Sequence, residues 1–213
     1  MLLVLPLICC RWRMVTFGGI DGYSRVIIYL ACHSNNLAAT TLKEFVGAVE
    51  KFGLPSRVHS DMGVENVDIA RFMLNHPDRG EGRGTFITGK SIHNQRQERL
   101  WQDVNIACVA QFYELFVYME ESGILNVNNE CHLFCLHFVF IPRFNSQLKA
   151  FQEGWNNHGL TTEHNKTPMQ LWIQGMFDVA NTSHRTAREF WEPRTDVSNG
   201  CVDFLKDFFS SGA

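Results

Sequence analysis

The sequence predicts an α/β protein: a mixed sheet with helices packed on it, followed by a mostly helical stretch. Three observations predict it. Short β-rich runs alternate with segments of helical period in the order β-β-α-β-α-β-α, which is the pattern of a sheet covered by helices. An Asp-Gly corner at Asp21-Gly22 joins the first two clear strand runs, and that dipeptide is a strong hairpin signal. The composition, 45% hydrophobic and 19% charged over 213 residues, is that of a folded chain long enough to bury a substantial core.

Taken in order, "MLLVLPLICC" is apolar and reads as a buried strand or as a leader foreign to the domain. It lacks the basic leading segment and small-residue cleavage site of a signal peptide. In "RMVTFGGI" Val15 and Phe17 alternate, and "RVIIYLACH" after the Asp-Gly corner is a β-branched run returning along it. Leu42, Phe45, Val46 and Val49 have helical spacing, with Asn35 and Asn36 as caps and Gly53 and Pro55 as the stop. "SRVHSD" is a short strand ending at Asp61. "NVDIARFMLNH" is a helix with Val67, Ile69, Ala70, Phe72, Met73 and Leu74 as its apolar face. Residues 77–84 form a loop, and "TFITG" is a brief strand. A helix begins near Gln95, with Leu100, Trp101, Val104 and Cys108 as its buried stripe. The chain then reads as helical to about Trp172, and the tail after Asn181 as a loosely packed appendage.

The formal charge of −3 argues against tight nucleic-acid binding by this chain alone, since a freestanding binder is usually basic. Seven irregularly spaced cysteines do not make a secreted disulfide framework, so a reducing compartment, nuclear or cytoplasmic, is expected. No apolar run is long enough to span a bilayer, so no membrane partner is expected.

Three carboxylates invite a catalytic reading. Asp61 ends a strand, where ligand sites of α/β sheets gather, although an Asp before Met62-Gly63 also braces its own turn. Glu98 lies on a helix beside the apolar stripe, 98 − 61 = 37 positions later, where an exposed Glu among Arg96 and Arg99 is the plainer reading. The two meet only if the intervening helix and strand fold back. Asp21 is read as a turn residue, its side chain bonding backbone at the Asp-Gly corner.

"SDMGVEN" followed after this gap by "HNQRQERLW" resembles the catalytic core of the retroviral-type integrases and their related transposases. "GIDGYSRVI" resembles the family's hairpin before the first helix, and "WNNHGLTTEHNKTPMQLW" its "YN…H…L…TP…W" segment. The resemblance covers about Arg11 to Met176, and integrase-core proteins of eukaryotic transposon relatives look most similar. It implies a ribonuclease-H-like fold in which three carboxylates hold two Mg²⁺ (or Mn²⁺) ions about 3.5–4 Å apart for DNA 3′-processing and strand transfer. It implies Asp61 and Glu98 as catalytic metal ligands, DNA as partner, and a homo-oligomer.

In that family the first catalytic Asp lies on the strand before the hairpin turn, and the Asp that Asp21 matches is not a metal ligand. Here "MLLVLPLICC" holds no acid, so the chain is expected to be crippled or inactive. The expected organisation is a core over 11–110, its first strand missing or replaced by 1–10, a helical continuation over 111–176, and a tail over 177–213. Two other readings stand beside it: a non-catalytic remnant acting in DNA binding or protein interaction, and an unrelated α/β metal enzyme using Asp21. Arg79, Arg83, Lys90, Arg96 and Arg99 form a modestly basic run, from which Lys90, Arg96 and Arg99 are candidate phosphate contacts. In "CHLFCLH", Cys131, His132, Cys135 and His137 lie close together, and Cys131 and Cys135 offer half a zinc site on one helix face, but the apolar neighbours favour a core helix with buried thiols.

Overall fold

The opening apolar run is a strand, β1 (Leu2–Cys9), in the middle of the sheet. The structure, a computed structural model, describes residues 2–60, 63–79, 84–88, 95–181 and 191–192, with the backbone alone for 2–10, 95–98, 180–181 and 191–192. After β1 come β2 (Met14–Asp21), β3 (Ile27–His33), α1 (Ala38–Phe52), β4 (Leu54–Pro55), β5 (Val58–Ser60), α2 (Val67–Asn75) and β6 (Phe86–Thr88). The helical part is α3 (Gln95–Val104), a π turn (Asn105–Val109), α4 (Ala110–Glu121), α5 (Glu130–Asn157) and α6 (Pro168–Asn181). Trp191–Glu192 forms β7, paired with β4.

The main sheet runs β3-β2-β1-β5-β6. The first three strands are antiparallel, and β5 and β6 run parallel to β1 and to each other. With helices on both faces, this is a ribonuclease-H-like mixed sheet followed by a mostly helical continuation. Alternation along β2 and β3 sorts side chains between two cores. Val15, Phe17, Ile28 and Tyr29 pack with Phe45 of α1 and Ile69 and Met73 of α2. Met14, Ile27, Leu30 and Cys32 pack with Leu100, Val104 and Cys108, and then with Phe116 of α4 and Leu133, Phe144 and Leu148 of α5. Each large apolar side chain so buried stabilises the fold by about 1.5–3 kcal/mol before conformational entropy is subtracted.

β3 is the last strand on its side, and its outer backbone edge is met by α5. Asn145 accepts from Cys32 N at 2.7 Å and donates to Cys32 O at 2.9 Å. Asn156 does the same for Ile27, at 2.8 and 3.0 Å. Gln152 donates to Ile27 O at 2.8 Å. Side-chain amides thereby stand in for a further strand on an edge that invites pairing.

Several sequence expectations change. The Asp21-Gly22 corner opens a wider loop than a two-residue turn, because Asp21 N donates to Val26 O and Arg25 N to Asp21 O, both at 2.9 Å. Leu37, not an asparagine, is the N-cap of α1, with Asn35 Oδ1 bracing it from Leu37 N at 3.1 Å and Thr40 Oγ1 at 2.7 Å. In α2 the buried residues are Ile69 and Met73, while Val67 and Leu74 face outward because the helix meets the sheet along a narrow stripe.

The reading of "CHLFCLH" as a core segment with buried thiols fails: Cys131 and Cys135 are exposed, as are Phe134 and Phe138. The segment is helical, but only Leu133 and Leu136 on its opposite side reach the core. The appendage expected after Asn181 lies outside the described residues, apart from β7.

Candidate active site

β5, the strand that precedes Asp61 in sequence, runs beside β1 in parallel. Leu2, Leu3 and Val4 pair with Val58, His59 and Ser60 in parallel register, and Ser60 is the last residue of β5. Asp61 follows it in sequence and lies outside the described residues. The next residue of β1 is Leu5, whose antiparallel partner on β2 is Gly18.

Gly18 shows what covers this part of the sheet. A Cβ there would come within 2.8 Å of the Trp101 ring, so the missing side chain lets α3 lie close against β2. Paired residues of an antiparallel ladder point to the same face, so register position 5 belongs to the face covered by α3. Glu98 precedes Trp101 by three residues on the same helix; its backbone is placed, while its side chain lies outside what is described. In chain order, α2 and β6 lie between β5 and α3, and β6 returns parallel to β5, while Asp61 and the side chain of Glu98 lie outside what is described. No acid stands anywhere in Leu2–Cys9.

Asp21 does not substitute. Its Oδ2 accepts from Ser24 N and Ser24 Oγ, each at 2.7 Å, and from Tyr23 N at 3.2 Å. It pairs with Leu2, three residues before Leu5, or about 10 Å along the strand. The corner is further clamped by the segment resembling the family's "YN…H" stretch. Trp155 Nε1 donates to Arg25 O at 2.9 Å, and Arg25 pairs with Glu163 at 2.9 Å. Those motif residues hold the corner between β2 and β3.

One buried acid following β5 escaped the sequence reading. Glu65, in the 3-10 turn after Gly63, is buried and accepts long bonds from Asn36 Nδ2 and Asn66 Nδ2, both 3.4 Å. A Cβ on Gly63 would meet the Glu65 carboxylate. The sequence signal was present in the Gly-x-Glu spacing, but it does not distinguish an acid folded back on its own turn from a solvated one.

Among the described residues, no three His, Cys, Asp or Glu side chains gather as a metal-holding group. A pair of Mg²⁺ ions needs about three carboxylates to bridge and neutralise them. The sequence offers two candidate carboxylates, Asp61 and Glu98, and Leu2–Cys9 holds none.

The basic run is also redistributed. Arg79 is buried and donates to Leu54 O, Pro55 O and Asp78 O, each at 2.9 Å, so it holds a corner and is not available to phosphate. Arg99 is exposed and lies 3.6 Å from Asp103. Arg83 and Lys90 lie outside the described residues, and Arg96 is placed by its backbone alone.

The HTLV-2 integrase catalytic core domain in complex with magnesium, in its trimeric form, aligns at 12% identity over 80% of this chain and 93% of that one, with a TM-score of 0.47. Its dimeric form aligns at 12% identity over 80% and 94%, with a TM-score of 0.45. A simian T-cell lymphotropic virus intasome in complex with PP2A regulatory subunit B56 gamma aligns at 12% identity over 80% of this chain but 53% of that one, with a TM-score of 0.48. No curated protein matches the sequence. The unrelated-enzyme reading centred on Asp21 is set aside, both by the bonds that Asp21 makes and by a family model described as an integrase core domain, which matches residues 7–187. The chain belongs to the integrase core domain family.

Proposed function

We propose that this chain is an integrase core whose metal-dependent chemistry, DNA 3′-processing and strand transfer, is crippled because its first carboxylate is absent. Asp61 and Glu98 are the retained members of the set. The observation that carries this reading is the register of β1: the strand is in place between β2 and β5, and it brings Leu5 rather than an acid to the face covered by α3. Two carboxylates leave one of two Mg²⁺ ions poorly held, and an in-line phosphodiester transfer needs both the attacking and the leaving oxygen stabilised.

What remains is a scaffold able to contact DNA weakly through Lys90, Arg96 and Arg99, with the net charge of −3 working against tight association by this chain alone. A Leu5→Asp variant tests the assignment. Mn²⁺ titration calorimetry is expected to show weak binding by the parent chain and at least tenfold tighter binding by the variant. The gain is expected to vanish when Asp61→Asn is added. Equal Mn²⁺ affinity in the parent chain and Leu5→Asp would defeat the proposal.

A further inference from the structure

The first half of α5 carries a stripe of exposed side chains. Cys131, Phe134, Cys135, Phe138 and Pro142 recur at three- and four-residue steps, which puts them on one helix face. All are exposed, with Phe134 at 69% and Phe138 at 75%. The two rings stack on each other, centroids 6.3 Å apart and planes at 18°.

The position follows from the clamps on β3. Asn156 grips Ile27 and Asn145 grips Cys32, one residue before β3 ends at His33. The helix therefore runs antiparallel to the strand, and its residues before Asn145 overhang the end of it. No charge interrupts the stripe.

We propose that Cys131 and Cys135 are half of a four-thiolate zinc site that a second copy of this chain completes across a twofold axis. Two ligands at i and i+4 on one helix face can share a zinc ion, the spacing that the paired histidines of helical zinc motifs use. Soft thiolates favour such a metal over Mg²⁺. No third His, Cys, Asp or Glu joins the pair among the described residues, and the remaining ligands are assigned to a second copy. A tetrahedral structural zinc takes four ligands, and a twofold axis doubles a pair into four.

The apolar neighbours name the same occupant but cannot hold it alone. Two phenylalanines per copy bury roughly 600–1,000 Å² in total, less than the ~1,200 Å² at which stable interfaces begin. The metal decides association, and the rings shield it from water. On binding, each thiol releases its proton to solvent as an S–Zn bond forms, with no change of oxidation state, so the site weakens as pH falls. This inference is independent of the reading of Asp61 and Glu98.

The test uses the full chain, kept reduced with a phosphine, with Zn²⁺ or Co²⁺ added during sedimentation velocity and absorption spectroscopy. The expected result is a dimer that forms at one metal per two chains, dissociates on chelation, and shows the visible bands of tetrahedral thiolate-bound Co²⁺. The double variant Cys131→Ser, Cys135→Ser is expected to lose both dimer and bands while its circular dichroism is unchanged, since neither side chain is in the core. Phe138→Glu is expected to raise several-fold the metal concentration needed for dimerisation. A chain that stays monomeric in saturating Zn²⁺ would overturn the proposal. So would a dimer or a set of bands that survives the double variant, or one metal bound per monomer.

Discussion

The Asp21 carboxylate takes both the amide and the hydroxyl of Ser24, each at 2.7 Å, and so closes the loop between β2 and β3. An acid that looks catalytic beside a strand is therefore engaged in holding backbone. Asp21→Ala would leave the buried Ser24 groups without this acceptor and is expected to cost on the order of 2 kcal/mol. Chemical denaturation measures it, and an unchanged midpoint would show that the loop closes without Asp21.

The second relationship of this kind is between Asn156 and Ile27. Asn156→Ala removes the acceptor of Ile27 N and the donor to Ile27 O on a buried strand edge. A loss on the order of 2 kcal/mol is expected, read as a melting temperature lower by several degrees. The neighbouring Asn157 is exposed and donates only to Glu153 O of its own helix, so Asn157→Ala is expected to stay within about 0.5 kcal/mol of the parent. Equal effects of the two substitutions would contradict the assignment of Asn156 to the β3 edge.

Much of this was legible in the sequence, for reasons that differ from element to element. Periods near two and 3.6 found β2, β3, α1 and the stripe Leu100, Trp101, Val104, Cys108, because those residues are buried by the faces that their periods define. The turn role of Asp21 was legible because Asp-Gly chemistry is local. The outward face of α5 was not. Its Cys and Phe residues are of core type, and the overhang past β3 leaves them exposed. The burial of Arg79 was hidden likewise, since the carbonyls of Leu54 and Pro55 lie more than twenty residues away. In the site, motif spacing pointed to Asp61 and Glu98, whereas the pairing of β1 with β2 and β5 needed the strand register.

His33 and Glu44 carry a pH dependence. Their side chains meet at 3.0 Å, and the hydrogen bond from His33 holds the Glu44 carboxyl below its ordinary range, with partial burial opposing and Lys43 and Lys51 assisting. A depressed folded-state value means that the stabilisation is fully present above the ordinary carboxylate range and is lost as pH falls through the folded value. The stability difference between the parent chain and Glu44→Gln is therefore expected to shrink as pH is lowered from neutrality to below about 4. Urea denaturation across that window measures it, and a difference that grows with acid would contradict it.

Thiol reactivity separates the two sides of α5. Cys108 is buried, and its thiol is pushed up to about 11 by burial, while Cys131 and Cys135 are exposed. Iodoacetamide at neutral pH is expected to alkylate Cys131 and Cys135 well before Cys32 and Cys108, as read by peptide mass mapping. Modification of Cys108 at the rate of Cys131 would mean that the helices of this core do not pack as described.

The most direct test of the central claim is a DNA-joining assay on the purified chain. Labelled duplexes with processed and unprocessed 3′-ends are incubated with Mg²⁺ or Mn²⁺, beside the Asp61→Asn variant. A core without its first carboxylate is expected to give no 3′-trimmed and no joined product above the variant in either metal. Trimming or joining by the parent chain that disappears in Asp61→Asn would show a complete metal site and contradict the account.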